Sequence, residues 1–259
     1  MEQYTSDESD GEPYTSYNIH DAASSADATM LRRALESGVS PDAVDRFGNT
    51  PLLLLCRRNL KRAGAGDYVA CFELLREAGA NLEATDTSGH TPLHEAADGG
   101  CLELLSLLIQ SGVNVDTSSD GYTALHFAAR GHYELAGSRY VCCVDALLAA
   151  GASVSARTES AQYGPDGGLT ALTIAIHRGN HRAWPSLLRA GAEFPGPPLG
   201  HHQNFSDPYI LRVRNAGGFK KYAQNHLAAM TKLFVANGRR LPPEVVRQIM
   251  KFWLHLGYY

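Results

Sequence analysis

The side chains that could do chemistry here are eleven histidines, five cysteines and 27 Asp or Glu residues. What decides their use is their company. His20, His94 and His126 each stand two residues before Ala-Ala in a recurring short word, far apart in the chain. No HExxH pair offers zinc to a catalytic glutamate, and no nucleophile elbow presents a serine. The Gly-rich spots, Gly64-Ala-Gly66, Gly167-Gly168 and Gly217-Gly218, lack the Lys-Ser/Thr that phosphate binding needs. Cys56, Cys71, Cys101, Cys142 and Cys143 form no CxxC pair, and His201-His202 sit in a Pro/Gly-rich stretch with no cysteine beside them. The expectation is therefore no catalytic residue, no metal and no cofactor.

Composition points the same way. With 44% hydrophobic and 19% charged residues the chain can bury a core. Its acidic opening, MEQYTSDESDGE, lacks the apolar stretch of a secretory signal. The longest apolar runs, 51–56 and 104–109, are too short to cross a bilayer. The expected location is the cytosol or nucleus, where disulfides are not expected.

A repeated word must position whatever site there is. Thr50-Pro-Leu, Thr91-Pro-Leu-His-Glu-Ala-Ala97, Thr123-Ala-Leu-His-Phe-Ala-Ala129 and Thr170-Ala-Leu-Thr-Ile-Ala are copies of it, and Tyr17-Asn-Ile-His-Asp-Ala-Ala23 is a weaker first one. A glycine follows each: Gly38, Gly79, Gly112, Gly151 and Gly191. Thr-Pro opens a first helix, where a proline lacks nothing it needs. The Ala-Ala pair lets a second helix approach closely, and the glycine closes that second helix in a left-handed conformation. In the second helices Leu31, Phe72, Leu105, Val144 and Trp184 form one apolar column, Ala34, Leu75, Leu108, Leu147 and Leu187 another, and Met30, Cys71, Leu104, Cys143 and Ala183 a third. Stacked copy on copy, such columns are one continuous core, with Cys71 and Cys143 inside it as small hydrophobes. Copies two and four carry extra residues between their helices, and residues 157–168 lengthen the hairpin between copies four and five. That long hairpin reads either as a contact loop or as a tolerated insertion.

On a period of 33, this T-P-L-H-x-A word resembles the ankyrin repeat over about residues 13–194. The fold so implied is all-α, a solenoid of helix-turn-helix units with β-hairpin tips and a C-terminal helical cap. Acidic residues 1–12 come before it, a Pro/Gly linker at 195–208 and a basic helical segment at 209–259 after it. In this family the recurring histidines are structural hydrogen-bonders, and the hairpin tips with the inner ends of the first helices line a concave groove for a protein partner. Carried over by position, the tips are Arg46, Phe47 and Asn49, then Thr87, Ser88 and His90, then Ser119, Asp120 and Tyr122. The inner helix ends offer Ser24, Ser25, Arg57, Arg58, Asp98, Arg130, His177 and Arg178. Phe47 and Tyr122 are the expected aromatic anchors, unless they fold back on a neighbouring hairpin. The arginines either receive a ligand's carboxylates or phosphates, or solvate the face, or pair with Asp98.

After residue 194 the beat stops. From 209 onward nine Lys or Arg stand against one acid, Glu244, while the preceding part is acidic. A helix is expected from Gly218 to about Asn237. Then Leu241, Pro242, Glu244, Val245, Val246, Ile249 and Phe252 resemble the opening of an F-box cut short, and a SOCS-box-like tail is the comparable alternative. Three readings stand at this point. One is an interaction scaffold whose tail, Trp253 included, caps the last repeat. Another is a substrate adaptor that docks a ubiquitin ligase through this helix. The third, ranked last, is a nucleic-acid binder using the basic tail.

Overall fold

The computed structural model describes residues 18–57, 67–131, 138–159, 168–194 and 207–236. Arg58, the interior of the long hairpin, residues 1–12 and the helix at 241–253 lie outside the described residues, as does most of the 195–208 linker.

Helices come in pairs, each pair one copy of the repeated word. They are α1 (Ile19–Ser25) with α2 (Ala28–Glu36), α3 (Pro51–Cys56) with α4 (Tyr68–Glu77), α5 (Pro92–Gly99) with α6 (Leu102–Gln110), α7 (Ala124–Arg130) with α8 (Ser138–Ala149), and α9 (Ala171–Arg178) with α10 (Trp184–Arg189). First helices neighbour first helices, and second helices neighbour second helices, so the chain builds two helical layers. The threonine of the word starts each inner helix from α3 onward. Thr50 Oγ1 accepts the N–H of Leu53 and Thr170 Oγ1 that of Thr173, each at 3.3 Å, and Pro51 and Pro92 occupy the first turn.

In the three copies that carry it, the histidine of the word fastens its copy to the hairpin that follows. His94 Nδ1 accepts the N–H of Thr91 at 3.0 Å, which leaves Nε2 to donate to the Thr117 carbonyl at 2.9 Å. His126 repeats this, with Nδ1 on the Thr123 N–H at 3.1 Å and Nε2 between the carbonyls of Ala156 and Leu169. His20 Nε2 meets the Ala43 carbonyl at 2.8 Å.

The expected columns form the core. The columns led by Leu31 and Ala34 are buried in every copy. In the third, Cys71, Leu104, Cys143 and Ala183 are buried, while Met30 is only half-buried at the outermost described copy. Burial pushes the Cys143 thiol up to about 12, so it is an inert hydrophobe. Gly112, at φ 82° with open space around it, shows how the second helices end.

The hairpin tips are not alike. Tips one and two are single turns held by Asp45 and Asp86. Asp45 Oδ1 accepts from the Phe47 and Asn49 N–H groups, and Asp86 Oδ1 from those of Ser88 and His90. The third connection is one residue shorter, with Ser118 where those aspartates stand. Here β1 (Ser118–Ser119) pairs antiparallel with β2 (Tyr122–Thr123) across Asp120-Gly121, both at positive φ, as a two-residue hairpin requires.

Past repeat five the helical segment expected from 209 is divided into two described helices, and the first begins one residue inside the expected linker. Asp207-Pro208 does not simply end a linker but starts α11 (Pro208–Asn215), with Asp207 Oδ1 accepting from the N–H groups of Tyr209 and Ile210. Helix α12 (Phe219–Ala236) follows where a helix was expected. Tyr209, Ile210 and Val213 are buried, and Tyr209 stacks on Trp184 at 6.5 Å with Tyr222 edge-on behind it. This pair covers the end of repeat five in the manner of one more degenerate copy.

Candidate protein-binding groove

The two hydrophilic-side positions of each inner helix are the residue after the histidine of the word and the one three further on. One helical turn apart, they share a face. Read along the stack they are Asp21 and Ser24, Leu54 and Arg57, Glu95 and Asp98, Phe127 and Arg130, Ile174 and His177. From Arg57 onward these positions, together with the hairpin tips, line two adjoining hollows that share His90, Phe127 and Arg130.

The first hollow is a polar lock. Arg57 donates from Nε to Glu95 at 3.0 Å, from Nη2 to Asp86 at 2.6 Å and from Nη1 to Asn49 Oδ1 at 2.8 Å. Asn49 in turn gives its amide to both oxygens of Asp45, at 3.1 and 2.9 Å. His90 Nδ1 stands 3.4 Å from Glu95. Burial alone would raise the Asp86 carboxyl. The N–H groups of His90 and Ser88, with the nearby His90 and Arg57, outweigh it and hold Asp86 below the ordinary carboxylate value. Asp86, His90 and Glu95 have ligand atoms close enough for a metal ion. The Arg57 guanidinium already supplies the positive charge that a cation would bring there.

The second hollow, of about 480 Å³, is apolar at its floor. Phe127, 7% exposed, is its centre, with Leu169 and Ile174 beside it. His90 and Tyr122 pack on the Phe127 ring at 5.1 and 5.9 Å, and the Arg130 guanidinium lies over it at 5.2 Å. Arg130 is tied to Asp98 at 2.6 Å. Arg178 lines the same hollow, exposed at the last turn of α9, with no ion pair among the described residues. At the rim the long hairpin has a narrow neck. The Thr158 N–H donates to the Leu169 carbonyl, the Leu169 N–H to Thr158 Oγ1, and the Glu159 N–H to the Asp120 carbonyl.

The predicted residues therefore separate. Ser88, His90, Asp98, Asp120, Tyr122, Arg130, His177 and Arg178 line the hollows, as do Phe47, Asn49 and Arg57. Asn49 is a correction: at 3% exposed it braces the lock and is no rim contact. Arg57 is spent on Asp86 and Glu95, and Arg130 on Asp98. Tyr122 folds back onto His126 and Phe127 and is half-buried. Phe47 does stand out, 58% exposed, with the Arg46 guanidinium 4.7 Å over its ring. Ser24 and Ser25 bond back to the Asp21 carbonyl. Missed by sequence reasoning were Glu95, Phe127 and Ile174, the groove floor. Their signal was present: each fills the variable position of the word, which varies because it faces outward from the core.

Comparison with known proteins agrees with this architecture. A family model described as ankyrin repeats (3 copies) matches residues 60–158, and one described as ankyrin repeats (many copies) matches 19–59. The human ankyrin repeat domain-containing protein 37 is 38% identical over 96 residues, 36% of this chain and 56% of its own length. The Variola virus ankyrin repeat protein OPG189 is 32% identical over 101 residues, 39% of this chain and 17% of its own. The mouse B-cell lymphoma 3 protein homolog is 29% identical over 166 residues, 63% and 33% of the two chains. The chain thus spans between about a sixth and just over half of the length of these relatives. Ankyrin matches together run from 19 to 158, more than half of the sequence, over the first four of the helix pairs that carry the repeated word. By both its repeats and its helix pairs, the chain belongs to the ankyrin-repeat family.

Proposed function

We propose that this chain is a non-enzymatic scaffold of the cytosol or nucleus that holds a segment of a protein partner along the groove of repeats two to five. Ankyrin repeats are protein-interaction modules, and one observation carries the finer reading. The inner-helix positions that the core does not use converge, with three hairpin tips, on two joined hollows. The test is to identify partners by proximity labelling and then compare two variants for each. Tyr122→Ala with Arg178→Glu alters the groove, whereas Glu77→Lys alters the exposed end of α4. Loss with the first and retention with the second is the expected result. Equal capture by both would overturn groove binding.

A second reading, the ligase adaptor, is favoured by a separate observation. Tyr209, Ile210, Val213 and Tyr222 already cover the end of repeat five, with Tyr209 stacked on Trp184. The fold has less need of the apolar stripe that Val245, Val246, Ile249, Phe252, Trp253 and Leu256 make in the sequence at 245–256 as a plug. A urea melt of residues 1–238 beside the full chain tests this. Little change supports an arm held for docking. A loss of more than about 3 kcal/mol, the scale of burying one or two large apolar side chains, makes the stripe part of the fold and ends the adaptor reading.

A further inference from the structure

We propose that the half of the groove over α7 and α9 takes a peptide presenting a bulky apolar side chain next to a carboxylate, the apolar group seated on Phe127 and Ile174 and the carboxylate met by Arg178. The proposal rests on the groove reading above and narrows it to one ligand chemistry.

Charge complementarity and the shape of the floor carry it. A volume of about 480 Å³ suits a group the size of a large side chain with some backbone. Its floor of Phe127, Leu169 and Ile174 is apolar, which rewards an aliphatic or aromatic group. Its charged lining is two arginines, Arg130 and Arg178, against one acid, Asp120. Arg130 is satisfied by Asp98 at 2.6 Å. His126 is spoken for by the carbonyls of Ala156 and Leu169, and burial holds it below the ordinary imidazole value, hence neutral. That leaves the exposed Arg178 with no ion pair among the described residues, because the one lining acid, Asp120, sits at the apex of the hairpin turn and is not paired with it. A guanidinium has no means of shedding its charge and its fork fits a carboxylate. A lysine- or arginine-bearing ligand would meet two arginines here. The neighbouring hollow offers no such opening, because Arg57 is closed on Glu95, Asp86 and Asn49.

Fluorescence polarisation with the full chain tests the idea, using short fluorescein-labelled peptides on a Gly/Ser background. The reference carries one phenylalanine flanked by glutamates. In the others the phenylalanine becomes alanine, or the glutamates become lysines. The reference should bind about tenfold tighter than either, on the scale of one charge-assisted contact. Arg178→Glu should erase that preference or reverse it, and since Arg178 is exposed the variant should fold normally, which circular dichroism checks. A lysine peptide that binds wild type as well as the glutamate peptide, or a reference that fails to bind at about 1 mM, would overturn the proposal. An unbiased displayed-peptide selection separates this from failure of the groove reading. Selected peptides of another chemistry that are lost on Ile174→Lys refute the ligand class and keep the groove. Peptides indifferent to both Ile174→Lys and Arg178→Glu refute both.

Discussion

The two halves of the groove use the same two positions of the same word and reach opposite results. In the half over α3 and α5 those positions hold Leu54, Arg57, Glu95 and Asp98, and the polar groups close on one another through Asp45, Asn49 and Asp86. In the half over α7 and α9 they hold Phe127, Arg130, Ile174 and His177, and the floor is apolar with a guanidinium at its edge. The helices, caps and core columns beneath are the same in kind. A repeat frame therefore fixes where side chains stand, and the residue types at two positions decide whether they lock the stack or leave it open.

The largest expected difference is at the tips. Gly48 and Gly121 both have positive φ, near 76°. A Cβ on Gly48 would come 2.9 Å from the Thr87 Cγ2, a side-chain atom able to yield. On Gly121 it would come 2.4 Å from the Glu159 backbone nitrogen, within the hydrogen-bonded neck of the long hairpin. Gly48→Ala should cost about 1–2 kcal/mol from backbone strain alone. Gly121→Ala adds overpacking against backbone and should cost about 2–5 kcal/mol in all. Urea midpoints for the pair check this, and equal losses would mean the neck yields as easily as a side chain.

Acid should weaken the whole stack before it opens the lock. Burial presses His94 down to about 4, with its Nε2 bond to Thr117 and the neighbouring His90 as smaller influences. An unfolded histidine titrates near about 6.5. As pH falls below that, the unfolded chain takes up a proton the folded chain refuses, so stability falls, and the fall ends once folded His94 protonates near 4. The loss is roughly 3 kcal/mol over that window. His126, shifted the same way, adds to it from the other half. Asp86 acts later and through the opposite charge. Held below its ordinary value, it gives stability above about 3.9 that is lost only as pH drops further. Urea melts at several pH values between 7 and 3 measure both, and His94→Gln should flatten the slope between 6.5 and 4. An unchanged slope would show that His94 is not its source.

Within the lock, Arg57→Met keeps the apolar stem and removes the guanidinium. Asp86, Glu95 and Asn49 then lose a shared partner. Glu95 is among the buried residues of the chain, while the arginine side chain is 40% exposed, so screening moderates the loss. The expected cost is about 1–3 kcal/mol, the worth of charged hydrogen bonds left half-made. A melt within error of wild type would make the network ornamental and erase the distinction between the halves.

Much of this was legible in the sequence, for an identifiable reason. Helix starts, closing glycines and the columns led by Leu31 and Ala34 depend on residues one to four apart, and those spacings are visible in a string. So was the helix at 219–236. The pairing of Arg57 with Glu95 and Asp86 was not, because it joins residues 38 and 29 apart in sequence, and only the stacking of α3 on α5 brings them together. Helix α11 was not singled out within the helical segment expected from 209, although Asp207-Pro208 carries the same cap-then-proline signal as Thr50-Pro51. For Tyr122 the sequence left open whether it stands out from its tip or folds back, because Phe127, the ring it packs on, belongs to the next helix.

The smallest expected effect on stability is the one that separates a lock from a site. Arg178→Met should leave the urea midpoint within about 0.5 kcal/mol of wild type, since an exposed arginine with no ion pair among the described residues holds nothing in place. The slight loss expected comes from removing a positive charge at the end of α9, where the helix dipole favours one. The same substitution at Arg57 should cost several times more. Two arginines near the ends of inner helices in one stack would then differ by what surrounds them. One is consumed by the fold, and the other is left over by it. A substantial loss at Arg178 would reverse that assignment, because a side chain that the fold needs for its own stability is not spare for a partner.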